Sequence, residues 1–516
     1  MKRYKQANQD IRLPEDLAAR TAADTPRKSA APRRVIALAT AAALLIGAVA
    51  VGTALVRRDD TGEFNHLTFG PDDTTQSPAL TTDAQIPTET TEQISGLLPL
   101  QLTKVSHPEQ AQYPLDDVYL SSPEYELWRK EHNARLKQPE GYDEGVHEAS
   151  VALMQQFLPS TAESEGQNRV LSPLNLYLAL AMLTEATDTT SRAALLDLRG
   201  ADSIETLCSR VASIWNVNYV DDGRVTSRLA ASLWLADRLS YRADTLECLA
   251  KNHYAETYQG KMGTEEMNAA LRSWLNKNTG NLLTEQANGV SFDPLTVLGL
   301  TTTIYYKASW DNSFSSNLTA DDTFHTTSGD ITVSFMHDSE HAYCYWGDGF
   351  TATYRSLGDG KMWLILPDEG VSPDQLIEAG DIFTLTQDFA QNWSDKKHLR
   401  VNLSLPKFDV VSDMDLTTGL AELGLGDLFN PACADFSPIT DDPALQDQLA
   451  LSQAKHAARV KIDEEGCEAA AYTVMVLTAT GAIIADEIDF VLDRPFIFIV
   501  TGSDNATLFA GVVETP

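Results

Sequence analysis

The residues of chemical interest in this chain form a short run near its C-terminal end. Residues 463–473 read Asp-Glu-Glu-Gly-Cys-Glu-Ala-Ala-Ala-Tyr-Thr. The acidic pair Glu464-Glu465 precedes a single glycine, Gly466, and then a series of small residues. These side chains suit a change of backbone state, from loop to strand. A segment that becomes a strand turns alternate side chains into the buried face of a sheet. Counted from Gly466, one parity is Cys467, Ala469, Ala471, Thr473, Met475 and Leu477, of which the first four are small and none is charged. The other parity is Glu468, Ala470, Tyr472, Val474 and Val476, and it holds the charge and the bulky ring. No proline occurs in 463–494, so no ladder donor is missing. Gly466 leaves the start of the segment free to take φ/ψ values closed to other residues. The competing reading is an Ala-rich stretch that opens a helix.

The elements that would position this segment follow in a specific order. Asn168-Arg169-Val170-Leu171-Ser172-Pro173-Leu174-Asn175 reads as a strand followed by a helix start, with Ser172 as the capping residue and Pro173 in the first turn. Leu174, Leu178, Ala181 and Met182 then recur at helical spacing. Later come Arg272-Ser273-Trp274 with Asn276 to Asn281, and Ile304-Tyr305-Tyr306-Lys307-Ala308-Ser309-Trp310. Ser334-Phe335-Met336, Met362 to Pro367, Leu405-Pro406-Lys407-Phe408, Leu420 to Phe436, Leu451 to His456 and Asp493 to Ile499 complete the series. In this order the motifs resemble the serpin family, the serine protease inhibitors, of bacterial type and membrane-anchored or secreted. The resemblance covers roughly 143–516.

That resemblance implies an α+β fold: a large central β-sheet, surrounding helices and an exposed reactive-centre loop. It assigns the loop hinge to Glu464, Glu465, Gly466, Cys467, Glu468, Ala469, Ala470, Ala471 and Thr473. A target protease would cut the loop once and be held as the loop inserts. Counted from the hinge glycine as in the family, the reactive bond falls at Thr480-Gly481, with Ala479 and Ile483 as neighbouring alternatives. Small, apolar residues before that bond suit elastase-like or subtilisin-like serine proteases. No Lys or Arg occurs between Lys461 and Arg494, which disfavours a trypsin-like target. A polar cluster that opens with the sheet is assigned to Ser172, Asn175, Thr302 and His456, and the family's tryptophan at the loop entry to Trp310. Asn175 and Thr302 depart from the family's usual Ser and Asn, so a rewired network is expected there. The competing reading makes His456 a satisfied core histidine.

Composition bounds the rest. The chain has 516 residues and a formal charge of −34. Its first 58 residues hold 11 Lys/Arg against 4 Asp/Glu, a charge of +7; the remainder holds 28 against 69, a charge of −41. So acidic a body argues against nucleic acid, whose phosphates need Lys and Arg. Val35 to Val56 is an uninterrupted apolar or small run of 22 residues between Arg33-Arg34 and Arg57-Arg58, long enough to span a bilayer. The basic residues before it predict a cytoplasmic tail over 1–34 and an extracellular body. Cleavage near Ala48-Val49-Ala50, giving a secreted protein, is the alternative. Residues 57–142 read as an extracellular stalk or linker with a helix at 123–136, leading into a serpin domain at 143–516.

The five cysteines, Cys208, Cys248, Cys344, Cys433 and Cys467, are odd in number and lack metal-ligand spacing. No disulfide framework, metal or cofactor is expected. There is no G-x-S-x-G elbow, H-E-x-x-H pair, Walker A loop or G-x-G-x-x-G. The chain is therefore not expected to be an enzyme, and a monomer is expected. The rival function is a non-inhibitory binding or carrier protein of the same fold, and small uncharged residues on the inserting parity favour inhibition.

Overall fold

An apolar run with no polar interruption marks a strand buried on both faces, and Phe496-Ile497-Phe498-Ile499-Val500 is such a strand, with every one of these residues buried. The computed structural model describes residues 98–467 and 486–516, apart from 106, 108, 115–121, 163, 387–392, 441 and 443–448. The described residues belong to one compact unit, Thr91–Pro516. The basic tail 1–34, the apolar run 35–56 and the linker up to residue 97 lie outside them, as do Glu468, Ala469, Ala470, Ala471, Thr473, Thr480 and Gly481. Among the described residues no helix is long and apolar enough to cross a membrane.

Strands are numbered along the chain. One sheet has eight strands in the order β1 (Leu100–Thr103), β5 (Ala255–Gly260), β4 (Val225–Ala236), β6 (Leu298–Ser309), β14 (Gly466–Cys467), β13 (Lys455–Ile462) and β12 (Phe408–Asp415), with β3 (Val220–Asp221) paired to β4. The other has nine, in the order β15 (Glu487–Val491), β11 (Lys396–Pro406), β8 (Gly329–Gly347), β9 (Phe350–Leu357), β10 (Gly360–Pro367), β16 (Phe496–Thr501), β17 (Thr507–Val513) and β2 (Arg169–Leu171), with β7 (Ala320–Thr326) on β8. All pairings are antiparallel except β4 with β5 and β11 with β15. The two sheets share a core: the Phe408 ring of β12 lies 5.8 Å from Phe496 and 5.2 Å from Phe498 of β16.

The helices are α1 (Pro123–Leu136), α2 (Val146–Phe157), α3 (Pro173–Glu185), α4 (Thr189–Leu198), α5 (Ile204–Asn218), α6 (Ala243–His253) and α7 (Glu265–Asn278), followed by short ones. Helix α3 carries the apolar spacing read from the sequence, yet every residue but Ala179 is buried. It touches β6, β17 and four other helices, so it has no solvent face to keep polar. Its Ser172 takes the N-cap position but makes no side-chain cap bond. The hydroxyl donates instead to Leu508 O at 2.6 Å, which corrects the expected capping role: a buried hydroxyl bonds to the nearest unmet carbonyl.

Described residues before 143 belong to the same compact unit, and the helix expected at 123–136 is α1 (Pro123–Leu136). Strand β1 pairs with β5 and forms one edge of the eight-stranded sheet. Helix α1 buries Trp128, whose Nε1 donates to Asp222 Oδ2 at 2.8 Å. Between them, His107 stacks on Tyr219 with ring centroids 3.9 Å apart. Arg135 reaches Asp359 at 3.2 Å.

Candidate functional site

The hinge is a tight reversal between two strands. Chain leaves β13 at Ile462, turns through Asp463, Glu464 and Glu465, and returns as β14. Cys467 opposes Ile462 of β13 on one side and Ala308 of β6 on the other, and Gly466 opposes Ser309. Among the described residues, β6 pairs only with β4 and β14, and β13 only with β12 and β14. Gly466 and Cys467 are thus the only described residues laddered between those two long strands.

Glycine is required at this entry. Gly466 has φ +150°, and a Cβ there would stand 2.2 Å from Ala308 O. Only a residue without a side chain lets the backbone approach β6 so closely. Cys467 is buried at 4 % exposure, on the parity expected to face inward.

Side chains and main chain hold the turn from outside. Trp310 Nε1 donates to Asp463 O at 2.9 Å, and its backbone N–H donates to Glu465 O at 2.9 Å. Phe314 N donates to Glu464 O at 3.0 Å. Lys407 pairs with the Glu464 carboxylate at 2.9 Å, and Thr319 donates to its other oxygen at 2.9 Å. Burial works to raise the Glu464 carboxyl, but Lys407, Thr319 and its own backbone N–H hold it below the usual carboxylate range. Beneath Trp310 and Phe314 lies Arg355, 2 % exposed, with its guanidinium 4.1 Å from the Phe314 centroid and bonded to Asp338. The sequence reading missed roles for Arg355, Phe314, Thr319 and Lys407. No local signal marks them, because their partners are distant in the chain.

The residues read as one polar cluster separate into three places. His456 Nε2 accepts from Ser172 N at 3.0 Å. Asn175 Nδ2 donates to Thr302 O at 3.4 Å, so Thr302 takes part through its main chain. Asn175 Oδ1 is buried and has no hydrogen-bond partner. No hydrogen bond among the described residues joins the Ser172–His456 pair to the Asn175–Thr302 pair. The expected single network is therefore two local contacts. Trp310 stands eight residues beyond Thr302, about 26 Å along the strand direction, and belongs to the hinge. Burial lowers His456 to about 4, so its ring is neutral at physiological pH.

The chain after the hinge re-enters the structure in the other sheet: β15 pairs in parallel with β11, with Arg400 opposite Glu487. Residues 468–485 thus connect two separately anchored strands in different sheets. A cut between those anchors would leave both in place.

Residues 147–516 match the family described as Serpin (serine protease inhibitor), and the chain belongs to that family. Similar curated proteins include Serpin-ZX of Arabidopsis thaliana, 26 % identical over 371 residues that cover 69 % of this chain and 94 % of the relative. Serpin-Z2A of Triticum aestivum is 27 % identical, covering 70 % and 92 %. Among solved structures, the thermophilic serpin tengpin in its native state has a TM-score of 0.64 at 24 % identity, covering 74 % of this chain and 95 % of that one. Human thyroxine-binding globulin, complexed with thyroxine, has a TM-score of 0.62 at 22 % identity, covering 73 % and 98 %. These likenesses establish the α+β serpin fold, which serves inhibitors and at least one carrier.

Proposed function

We propose that this chain inhibits serine proteases by offering the 468–485 segment as bait and inserting it after cleavage. The observation that carries this reading is Gly466-Cys467, which already lies between β6 and β13 as the first two residues of a strand, with Cys467 facing inward. The protease serine Oγ attacks the Thr480 carbonyl carbon and the Thr480–Gly481 C–N bond breaks. Gly481 leaves as a free amine, taking the proton, and Thr480 stays as an ester on the protease. The segment ending at Thr480 then extends β14 down the gap, drawing the esterified protease with it. About ten new ladder bonds at ~1 kcal/mol net each supply about 10 kcal/mol. A distorted active site needs far less to stall deacylation, since ~1.4 kcal/mol is a tenfold rate change.

The inhibitor turns over no substrate, needs no cofactor and acts as a monomer. Its targets are elastase-like or subtilisin-like proteases, because Val476 to Thr480 offers small, uncharged side chains. It works outside the cell, held at the membrane through 35–56 above the cytoplasmic tail 1–34.

The test is to incubate the protein with elastase-, subtilisin- and trypsin-like enzymes and look for complexes that survive SDS. Complexes with the first two are expected, with mass spectrometry of the released peptide placing the cut at Thr480-Gly481. Cleavage without a complex would leave the binding or carrier reading standing. A cut outside 477–484 would refute the bond assignment.

A further inference from the structure

The trapping reaction makes no use of the far end of helix α3. Ser172 starts that helix beneath the central sheet; Glu185 ends it among α5 and α6. Glu185 Oε1 accepts from Cys208 Sγ at 2.7 Å and from Cys248 Sγ at 3.4 Å. His253 Nε2 stands 3.5 Å from the same oxygen. One donor atom each from Glu185, Cys208 and His253 lies within 4.8 Å of the others. His253 is only 1 % exposed; its Nε2 faces Glu185, whose carboxyl it helps hold low, while its Nδ1 has no hydrogen-bond partner.

As a metal-free cluster this arrangement is poorly satisfied. A buried imidazole with one nitrogen unpartnered forfeits the hydrogen bond that nitrogen had with water. Thiols are weak donors to a buried carboxylate. A cation at the centre would answer each defect, taking the imidazole lone pair, the carboxylate and both sulfurs as thiolates.

We propose that Glu185, Cys208, Cys248 and His253 form a binding site for a thiolate-preferring divalent cation of the zinc class. Two sulfurs, one nitrogen and one oxygen make a zinc donor set; calcium and magnesium take oxygens. Tetrahedral zinc places its donor atoms ~3.3–3.8 Å apart, given bonds of ~2.0–2.3 Å. Glu185, Cys208 and His253 reach that by drawing their farthest pair in by about 1 Å, and Cys248 Sγ, 3.4 Å from Glu185 Oε1 but outside that 4.8 Å group, moves further to complete the set. Asn252 Nδ2 donates to Cys248 Sγ at 3.1 Å, the kind of outer bond that orients a metal-bound sulfur. The bound ion would tie α3, α5 and α6 together at the end opposite the sheet.

The test uses the full chain, purified with reductant and stripped by chelation, then titrated with Co2+. A thiolate-to-cobalt absorption band should saturate at one equivalent and be displaced by Zn2+. Cys208→Ser, Cys248→Ser and His253→Ala should each weaken cobalt binding on the order of tenfold or more. Cys433→Ser, at an exposed thiol outside the cluster, should change nothing. Should the cluster variants fold poorly, alkylation of the unmutated chain decides: zinc should protect Cys208 and Cys248 but not Cys433. No thiolate band at one equivalent, a band lost with Cys433→Ser instead, equal alkylation with and without zinc, or a Cys208–Cys248 disulfide in protein isolated without reductant would each overturn the proposal.

Discussion

His456 is a buried neutral base whose ring, among the described residues, accepts one backbone hydrogen bond, from Ser172. Its folded value of about 4 lies below the 6.5 of a free histidine. The neutral ring is thus the form the fold prefers, and the unfolded chain binds the extra proton first as pH falls. The stability it secures is complete above pH 6.5 and is lost as pH falls from 6.5 through 4. At ~1.4 kcal/mol per pH unit the loss by pH 4 is about 3 kcal/mol. Urea unfolding at pH 7.5 and pH 4 should show that loss in the native protein and much less of it in His456→Asn. Equal pH dependence in both would show that this ring does not titrate on unfolding. The family resemblance, rather than residue type by itself, singled out Ser172, Asn175 and His456. It did not reveal which partners, because the Leu508 and Thr302 carbonyls that meet them are more than a hundred residues away.

At the scale of elements, alternation carried the most information. Cys467 faces inward, as the two-residue period of a strand required. Continued through an inserted strand, the same period would point Ala469, Ala471 and Thr473 into the sheet. Thr473→Arg or Ala471→Glu would therefore bury an unpaired charge, which is costly. Either variant should still be cut at the normal rate but form few SDS-stable complexes, turning inhibitor into substrate. Gel densitometry of complex against cleaved product measures this, and undiminished inhibition by either variant would refute the parity. Helix α3 was harder to read. Its apolar spacing told of a helix, but only the packing of two sheets and four helices around it explains why Asn175, Thr184 and Glu185 are buried too. The cluster of Glu185, Cys208, Cys248 and His253 had no signature at all, since its members come from three helices with irregular gaps between them.

On the scale of the whole molecule, the order of motifs was enough to identify the serpin body, matched over 147–516, whereas the way residues 98–142 dock onto it was not legible. Residues 98–142 look like linker because their apolar residues are few and scattered. Their worth comes from docking: Trp128 enters a slot closed by Asp222, and β1 covers the edge of β5. A protein beginning at residue 143 should be less stable than one beginning at 98 by about 3 kcal/mol, the scale of one large buried side chain. Denaturant unfolding of the two compares them directly, and equal midpoints would mean that the docked segment contributes nothing.

The two-residue strand at Gly466 also sets the timing of the proposed trap. Cut loop and waiting protease are in a race: either the strand zips down the sheet first, or water frees the protease first. Zipping normally begins with a slow nucleating step, but here the first rungs are formed before the cut, so only propagation remains. Gly466→Ala, whose methyl would strike Ala308 O, should return nucleation to the clock. Each ~1.4 kcal/mol added to that step slows insertion tenfold. More inhibitor molecules should then be spent per protease captured, while the first cut proceeds at an unchanged rate.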